Sequence, residues 1–263
     1  MAKLKISRLV MNRSTLEKLP DDVRSEFLLA THILNEIETL RRLAVFSKSR
    51  SRNHVIQQIE RGRYFTIVRL LIGKTVEGYE ATRMHIVEKP SWKRQRQQIS
   101  QTGRDAIDKA KKLFGKSSVL NKVRNNHCFH YPEPSRIAAG FARLEPEQDC
   151  SMYTDDATTR HCSYAVGADV VLLWTLINDV QDWWKDKPER QKDPLTEMSA
   201  EALDAADHVV TFLEQFAIMV LEQNPDALGD VLPDVTVIRD APLFDHVHIP
   251  SVTRPPKKVY REH

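Results

Sequence analysis

Glycine is scarce, eight residues in 263, and alternating β-branched stretches are almost absent, which argues against a sheet-based fold. The three cysteines, Cys128, Cys150 and Cys162, are odd in number and far apart. They form no CxxC pair and no disulfide framework, so a reducing, cytoplasmic setting is expected. A zinc site drawn from Cys128, Cys150, His161 and Cys162 fits ligand-spacing rules poorly, and neither a metal nor another cofactor is expected. No apolar run approaches the roughly 18 residues of a membrane span. The start, MAKLKISRLV, is basic but lacks the apolar stretch and small-residue cleavage site of a secretory signal, so neither leader nor membrane partner is expected. Internal repeats are not visible.

What the chain does have is charge and helical periodicity. Hydrophobic residues make up 41% and charged residues 29%, a globular composition, and the length suits one large domain or a domain with an appendage. The net charge of +3 is too small to declare a nucleic-acid partner, but its distribution is uneven. Residues 48–63, KSRSRNHVIQQIERGR, carry five basic side chains against one acid, and residues 89–104, KPSWKRQRQQISQTGR, carry five against none. Such runs are usually solvated helix faces and a basic loop. The sharper alternative is a track for a polyanion, with Arg50, Arg52, Arg61, Arg63, Lys93, Arg94 and Arg96 on phosphates and Trp92 stacking on a base.

Apolar residues recur at three and four along much of the chain. PDDVRSEFLLATHILNEIETLRRLAVFSK opens on a good helix start and aligns Phe27, Ala30, Ile33 or Leu34, Ile37, Leu40 and Ala44. A second helix runs from near Asn53 through Ile56, Ile59, Val68, Leu71 or Ile72, Val76 and Tyr79 until Pro90. GRDAIDKAKKLFG forms a third, with Gly115 at its end. SVLNKVRNNHCF forms a fourth, capped by Ser117 or Ser118 and finishing within a residue or two of His130, because Pro132 disfavours helix at Tyr131. PSRIAAGFARL is a short helix, and SYAVGADVVLLWTLINDVQDWW and AEALDAADHVVTFLEQFAIMVLEQ are strong ones, separated by the loop KDKPERQKDPLTEM. From Pro225 the pattern fails into proline-rich, β-prone pieces. The expected architecture is an all-α bundle of about five to seven helices. It comprises an N-terminal segment (1–19), a helical domain (20–224) and an extended non-helical C-terminal arm (225–263) that packs on the bundle or on a partner chain.

Residues 122–132, KVRNNHCFHYP, concentrate the chemistry. Arginine offers a planar donor fork that matches phosphate, and imidazole exchanges protons near neutrality. An RNA phosphodiester brings its own nucleophile, the 2′-OH. A protein then needs only a base, a group that stabilises phosphorane charge, and an acid for the leaving oxygen. The plainer explanation is a helix C-terminus, where His suits the dipole and Asn ends helices. Six residues separate Arg124 from His130, which in an ideal helix turns one roughly 240° from the other. Either the helix end unwinds or the site is assembled from two chains.

The stretch RNNHCFHY (124–131) resembles the signature of the HEPN superfamily (higher eukaryotes and prokaryotes nucleotide-binding): arginine, a polar residue often Asn, a few residues, then histidine. Arg124, Asn125 and His130 match it. HILNEIETLRRL and RYFTIVRLLIGKTVEGYEATR resemble the two helices that precede the motif in bacterial HEPN proteins, abortive-infection types among them, so the resemblance covers roughly residues 20–220. It implies a HEPN-like bundle and a metal-independent endoribonuclease, of the toxin or phage-defence kind, that works as a homodimer on RNA and leaves a 2′,3′-cyclic phosphate. By the same resemblance Arg124 stabilises the transition-state phosphate, His130 acts as base or acid, and Asn125 orients them. An antitoxin or nucleotidyltransferase partner is implied as well. In some such pairs the partner modifies a tyrosine two residues beyond the histidine. Tyr131 is one residue beyond, so that role is not carried over.

Six further residues stand near this reading. His127 is either a second imidazole or, by preference, a surface residue. Glu77 and Glu80 sit on the second helix, and a carboxylate there could orient Arg124; the plainer alternative is a solvated Glu or a salt bridge to Arg69 or Arg83. Trp174, Trp183 and Trp184 suit core packing or a dimer face better than base stacking. Besides the nuclease, two other classes stay open: a non-catalytic HEPN-like module binding RNA or nucleotide through its basic segments, and a structural partner docking through its C-terminal arm.

Overall fold

The computed structural model describes residues 4–7, 11–48, 50–115, 118–153, 164–180, 194–227 and 235–238. These residues are mostly helical, with only two-stranded pairings beside the helices. Four helices form the core: α2 (Asp21–Phe46), α3 (His54–Thr82), α5 (Gln101–Leu113) and a long C-terminal helix, α9 (Pro194–Gln223). α1 (Arg13–Leu16), α4 (Trp92–Gln98) and α6 (Val119–Val123) are short, and α7 (Pro134–Phe141) and α8 (Val166–Asp179) pair on one side. Nine α-helices among the described residues exceed the expected five to seven. The excess lies in short pieces such as α1 and α4.

The register of the core follows from the apolar stripes. α2 buries Phe27, Ala30, Ile33, Ile37 and Ala44, the face its periodicity predicts. α3 runs antiparallel to it: Gly78 lies against Ile33, and Lys74 Nζ reaches Glu36 at 3.1 Å. α9 packs across both, Arg41 of α2 meeting Asp207 of α9 at 2.9 Å. Phe212 and Phe216 of α9 are fully buried, and Trp92 of α4 stands edge-on to Phe212, ring centroids 5.6 Å apart. Trp92 is therefore a core residue, and the expectation that it stacks on a base is corrected. α4 was expected to be loop; it forms because Trp92 and Gln95, three apart, both turn inward. Gln95 helps Lys89 satisfy the buried carboxylate of Glu26, with Lys89 Nζ at 2.6 Å. α9 likewise starts earlier than expected, inside PLTEM, with Pro194 at its first position, where no amide is needed.

Two helices widen where they end. α3 passes into a π turn, Arg83–Val87, and α6 into another, Arg124–Cys128. Of the C-terminal arm, Pro225–Ala227 is a single 3-10 turn and Val235–Ile238 is a strand (β4) antiparallel to β1 (Leu4–Ser7), Leu4 opposite Ile238. A second pair joins β2 (Met152–Tyr153) to β3 (Tyr164–Ala165). The rest of the arm, together with Trp183, Trp184, His161 and Cys162, lies outside the described residues. Among the described residues no helix is long and apolar enough to cross a membrane, and no cluster of His, Cys, Asp and Glu could hold a metal.

The π turn of residues 124–128 rests on α3 at Gly73. A Cβ there would lie 2.6 Å from Phe129 Cζ and 2.9 Å from Cys128 Cβ, closer than real carbon atoms come. Gly73→Ala should cost about 1–3 kcal/mol in urea unfolding, because the ring and the turn must move. Gly115→Ala, whose Cβ meets nothing nearer than 3.4 Å, should change stability by less than about 0.5 kcal/mol.

Candidate functional site

Three residues of α3 spaced four apart, Arg69, Gly73 and Glu77, present one face to the motif turn. Each makes a different contact. Arg69 Nη1 donates to the His127 carbonyl at 3.2 Å, Gly73 admits Phe129 and Cys128, and Glu77 Oε1 accepts from Arg124 Nη2 at 3.2 Å. Arg124 Nη1 also donates to Asn125 Oδ1 at 3.0 Å. The carboxylate thus meets Arg124 across the bundle, not Arg69 or Arg83. Glu80 follows the plainer alternative and pairs with Arg83 at 2.7 Å.

Arg124 keeps capacity to spare. A guanidinium has five N–H donors, and its side chain is 40% exposed, as is that of Glu77. Among the described residues Arg124 Nε has no hydrogen-bond partner, and neither does Arg69 Nε. Arg69 stacks its guanidinium over Phe65, 4.9 Å from the ring centroid. Both Nε atoms are buried beyond a ligand's reach, so contact with a phosphate falls to the rest of the half-exposed Arg124 guanidinium, with Arg69 as a second positive charge nearby. Arg69 entered the sequence reading only as a salt-bridge candidate. Its spacing from Glu77 on one helix face was the signal that it belongs to the same site.

His130 lies beyond the π turn, in a bend that follows Phe129 at φ −121° and ψ 0°. The ideal-helix rotation between Arg124 and His130 thus does not apply, because the chain leaves α geometry after Val123. His130 is exposed, and among the described residues its ring has no hydrogen-bond or ion-pair partner. Asn125 is exposed and Tyr131 is 93% exposed. Neither Arg124 nor His130 is sealed in the bundle, and no hydrogen bond between them is seen among the described residues. Cys128, beneath the turn, is kept a thiol: burial pushes its pKa up to about 12, against a smaller opposing pull from Arg69.

His127 differs from expectation. It is 2% exposed, not a surface residue, and its Nε2 lies 2.7 Å from Asp179 Oδ2. Asp179, the last residue of α8, also accepts from Arg136 of α7. One carboxylate therefore joins the motif turn to α7 and α8. Burial pushes the His127 pKa below its ordinary value, with Asp179 pulling the other way. The partner is 52 residues away, so nothing in the local spacing announced it.

The basic residues do not make one track. Arg50 and Arg52 precede α3 and Arg61 and Arg63 lie on its first turns, whereas Lys93, Arg94 and Arg96 follow its far end on α4. α3 has 29 residues, about 43 Å at 1.5 Å per residue, so the two segments mark opposite ends of the bundle. Arg50, Arg52, Lys93 and Arg94 are exposed, and Arg96 pairs with Asp108 at 2.7 Å.

The buried imidazole makes stability depend on pH. The His127 pKa in the folded chain lies below the roughly 6.5 of an unfolded chain, so the unfolded state takes up its proton first. Its contribution is full above about pH 6.5 and is lost as the pH falls through the lower folded value. Urea unfolding at pH 7.5 and 5.0 should show a steeper loss for the native chain than for His127→Gln. Glu77→Gln, at a half-exposed pair, should cost less than about 1 kcal/mol.

Compared with protein-family models, with curated proteins and with solved structures, the chain matches none.

Proposed function

We propose that this chain is a metal-independent endoribonuclease of the HEPN type, with a HEPN-like bundle, acting as a homodimer on RNA. The observation that carries the reading is Arg124: fixed by Glu77 on a widened helix end, half-exposed, and with exposed His130 in the next bend. Two copies of this surface facing each other would supply two guanidiniums and two imidazoles to one groove. One His130 removes the 2′-OH proton, and the 2′ oxygen attacks phosphorus as the bond to the 5′ oxygen breaks. The other His130 protonates that leaving oxygen, giving a 2′,3′-cyclic phosphate and a 5′-OH. Arg124 neutralises charge on the non-bridging oxygens, and Asn125 holds the Arg124 fork from its outer side. Arg69, one turn beyond Gly73, adds a second positive charge on the same face.

A second reading, a non-catalytic RNA- or nucleotide-binding or protein-interaction module, draws on the same histidine. No group among the described residues fixes the His130 tautomer, as a general base requires. Exposed Arg50 and Arg52 at one end and Lys93 and Arg94 at the other would then be the working residues.

The two readings part in one experiment. Purified protein should cleave single-stranded RNA in EDTA, leaving cyclic phosphate ends, and Arg124→Ala and His130→Ala should each lower the rate by at least about a hundredfold with unchanged helical circular dichroism. Cleavage that requires a divalent metal, or that survives both substitutions, would overturn the nuclease. Loss of RNA affinity on neutralising the basic residues, with no cleavage at any stage, would favour the binding module. An antitoxin or nucleotidyltransferase partner belongs to the nuclease reading alone.

A further inference from the structure

A cleft opens at the end of α3 away from Glu77. Its inner compartment, about 270 Å³, is walled by Phe65 of α3 and by Val170, Leu173, Trp174 and Ile177 of α8. It continues into an outer compartment of about 790 Å³ with Lys48, His54 and Tyr64 on its sides. Gln58, Arg61 and Asp149 line both, so they mark the junction. Together the two spaces match the size of ordinary small-molecule sites. From Arg61 to Glu77 is sixteen residues of one helix, about 24 Å, so this cleft is separate from the motif turn.

The two compartments share Arg61 and Asp149 at their junction but differ in the rest of their lining. Asp149 accepts from Gln58 Nε2 at 2.6 Å and from both the amide and the hydroxyl of Ser151. Those bonds, the Ser151 hydroxyl foremost, hold its pKa at about 2, so it is ionised at any working pH. A carboxylate has about four lone-pair sites; three are taken, and Asp149 lines the cleft. Asp169, held by the Tyr164 hydroxyl, adds a second carboxylate to the inner compartment. An apolar wall with an aromatic face and carboxylate acceptors suits a flat ring that carries an amino group. The outer compartment adds cations to the shared Asp149. Lys48, His54 and Arg61 gather there, and Lys48 Nζ stands 6.0 Å above the Tyr64 ring. That end suits phosphate.

A single molecule with an amino-bearing aromatic ring at one end and phosphate at the other meets both demands. We propose that this cleft binds an amino-bearing nucleotide, its base inward beside Trp174 and Asp149 and its phosphate outward at Lys48 and His54. The nucleotide is either free or one unit of an RNA strand. The site does not require cleavage at the motif turn, and its failure and the failure of the nuclease reading are separately visible.

The test is calorimetric titration of the full chain carrying His130→Ala, so that no substrate is consumed. The probes are AMP, adenosine, the 5′-monophosphate of purine riboside, which lacks the amino group, and pentaadenylate. AMP should bind at least about tenfold more tightly than the purine riboside monophosphate, since the lost hydrogen bond is to a charged acceptor. Lys48→Ala should weaken AMP several-fold and leave adenosine unchanged. Asp149→Asn should bring the AMP preference below about threefold. If that variant does not fold, the preference in the chain with native Asp149 still decides. Binding of AMP identifies a free nucleotide, and binding of pentaadenylate alone identifies a strand. Equal binding of AMP and its amino-free analogue, or no binding of AMP or pentaadenylate, would overturn the proposal.

Discussion

The missing Cβ of Gly73 lets the 124–128 turn settle onto α3, because Phe129 and Cys128 occupy the space that any side chain would need. Closeness there has two consequences one turn away on each side. Arg69 comes within reach of the His127 carbonyl, and Glu77 comes within reach of Arg124. On the opposite side of the turn Asp179 takes the His127 ring. The motif is thus held from two directions, by a polar stripe on one helix and by a single carboxylate at the end of another. The geometry of Arg124 is a property of α3 as much as of its own segment.

Two histidines three residues apart have opposite fates. His127 is buried in an ionic cluster with Asp179 and Arg136, and its displacement would leave a carboxylate short of a donor. His130 projects past the π turn into solvent. An unbroken α-helix would place these residues on nearly the same face. The wide turn and the bridge-region backbone of Phe129 separate them, so one imidazole anchors the segment while the other is left accessible.

Helical periodicity carried most of the architecture. The buried faces of α2 and α3 are those that the apolar spacing singled out, and the motif helix ends near Pro132 as proline sterics require. Two elements escaped, for different reasons. α4 offers only Trp92 and Gln95 to the interior amid basic and amide side chains, and the first turns of α9 sit behind a proline in a polar context. α4 has too few apolar residues to set a period, whereas the start of α9 has Leu195, Met198 and Ala202 in helical register behind a proline that reads as a loop signal. At the site, Glu77 was legible as one of several partners for a cation, and the structure assigns it to Arg124. The burial of His127 was not legible, since it depends on Asp179 across the fold.

α3 carries glycines at 62, 73 and 78, each pressed by a neighbour: Tyr164 and Asp169 at the first, Phe129 at the second, Ile33 at the third. Each glycine lowers intrinsic helix propensity by roughly 1 kcal/mol relative to alanine. Taken alone, then, the segment is a poor helix former, and its unbroken run of 29 residues is supported by the elements that lean on it. α3 is the rod on which both the arginine–histidine turn and the amphiphilic cleft are mounted, yet it owes its rigidity to them. Loosening either end should soften the whole rod, so the two regions are tied through the cooperativity of helix formation rather than through any chain of direct contacts.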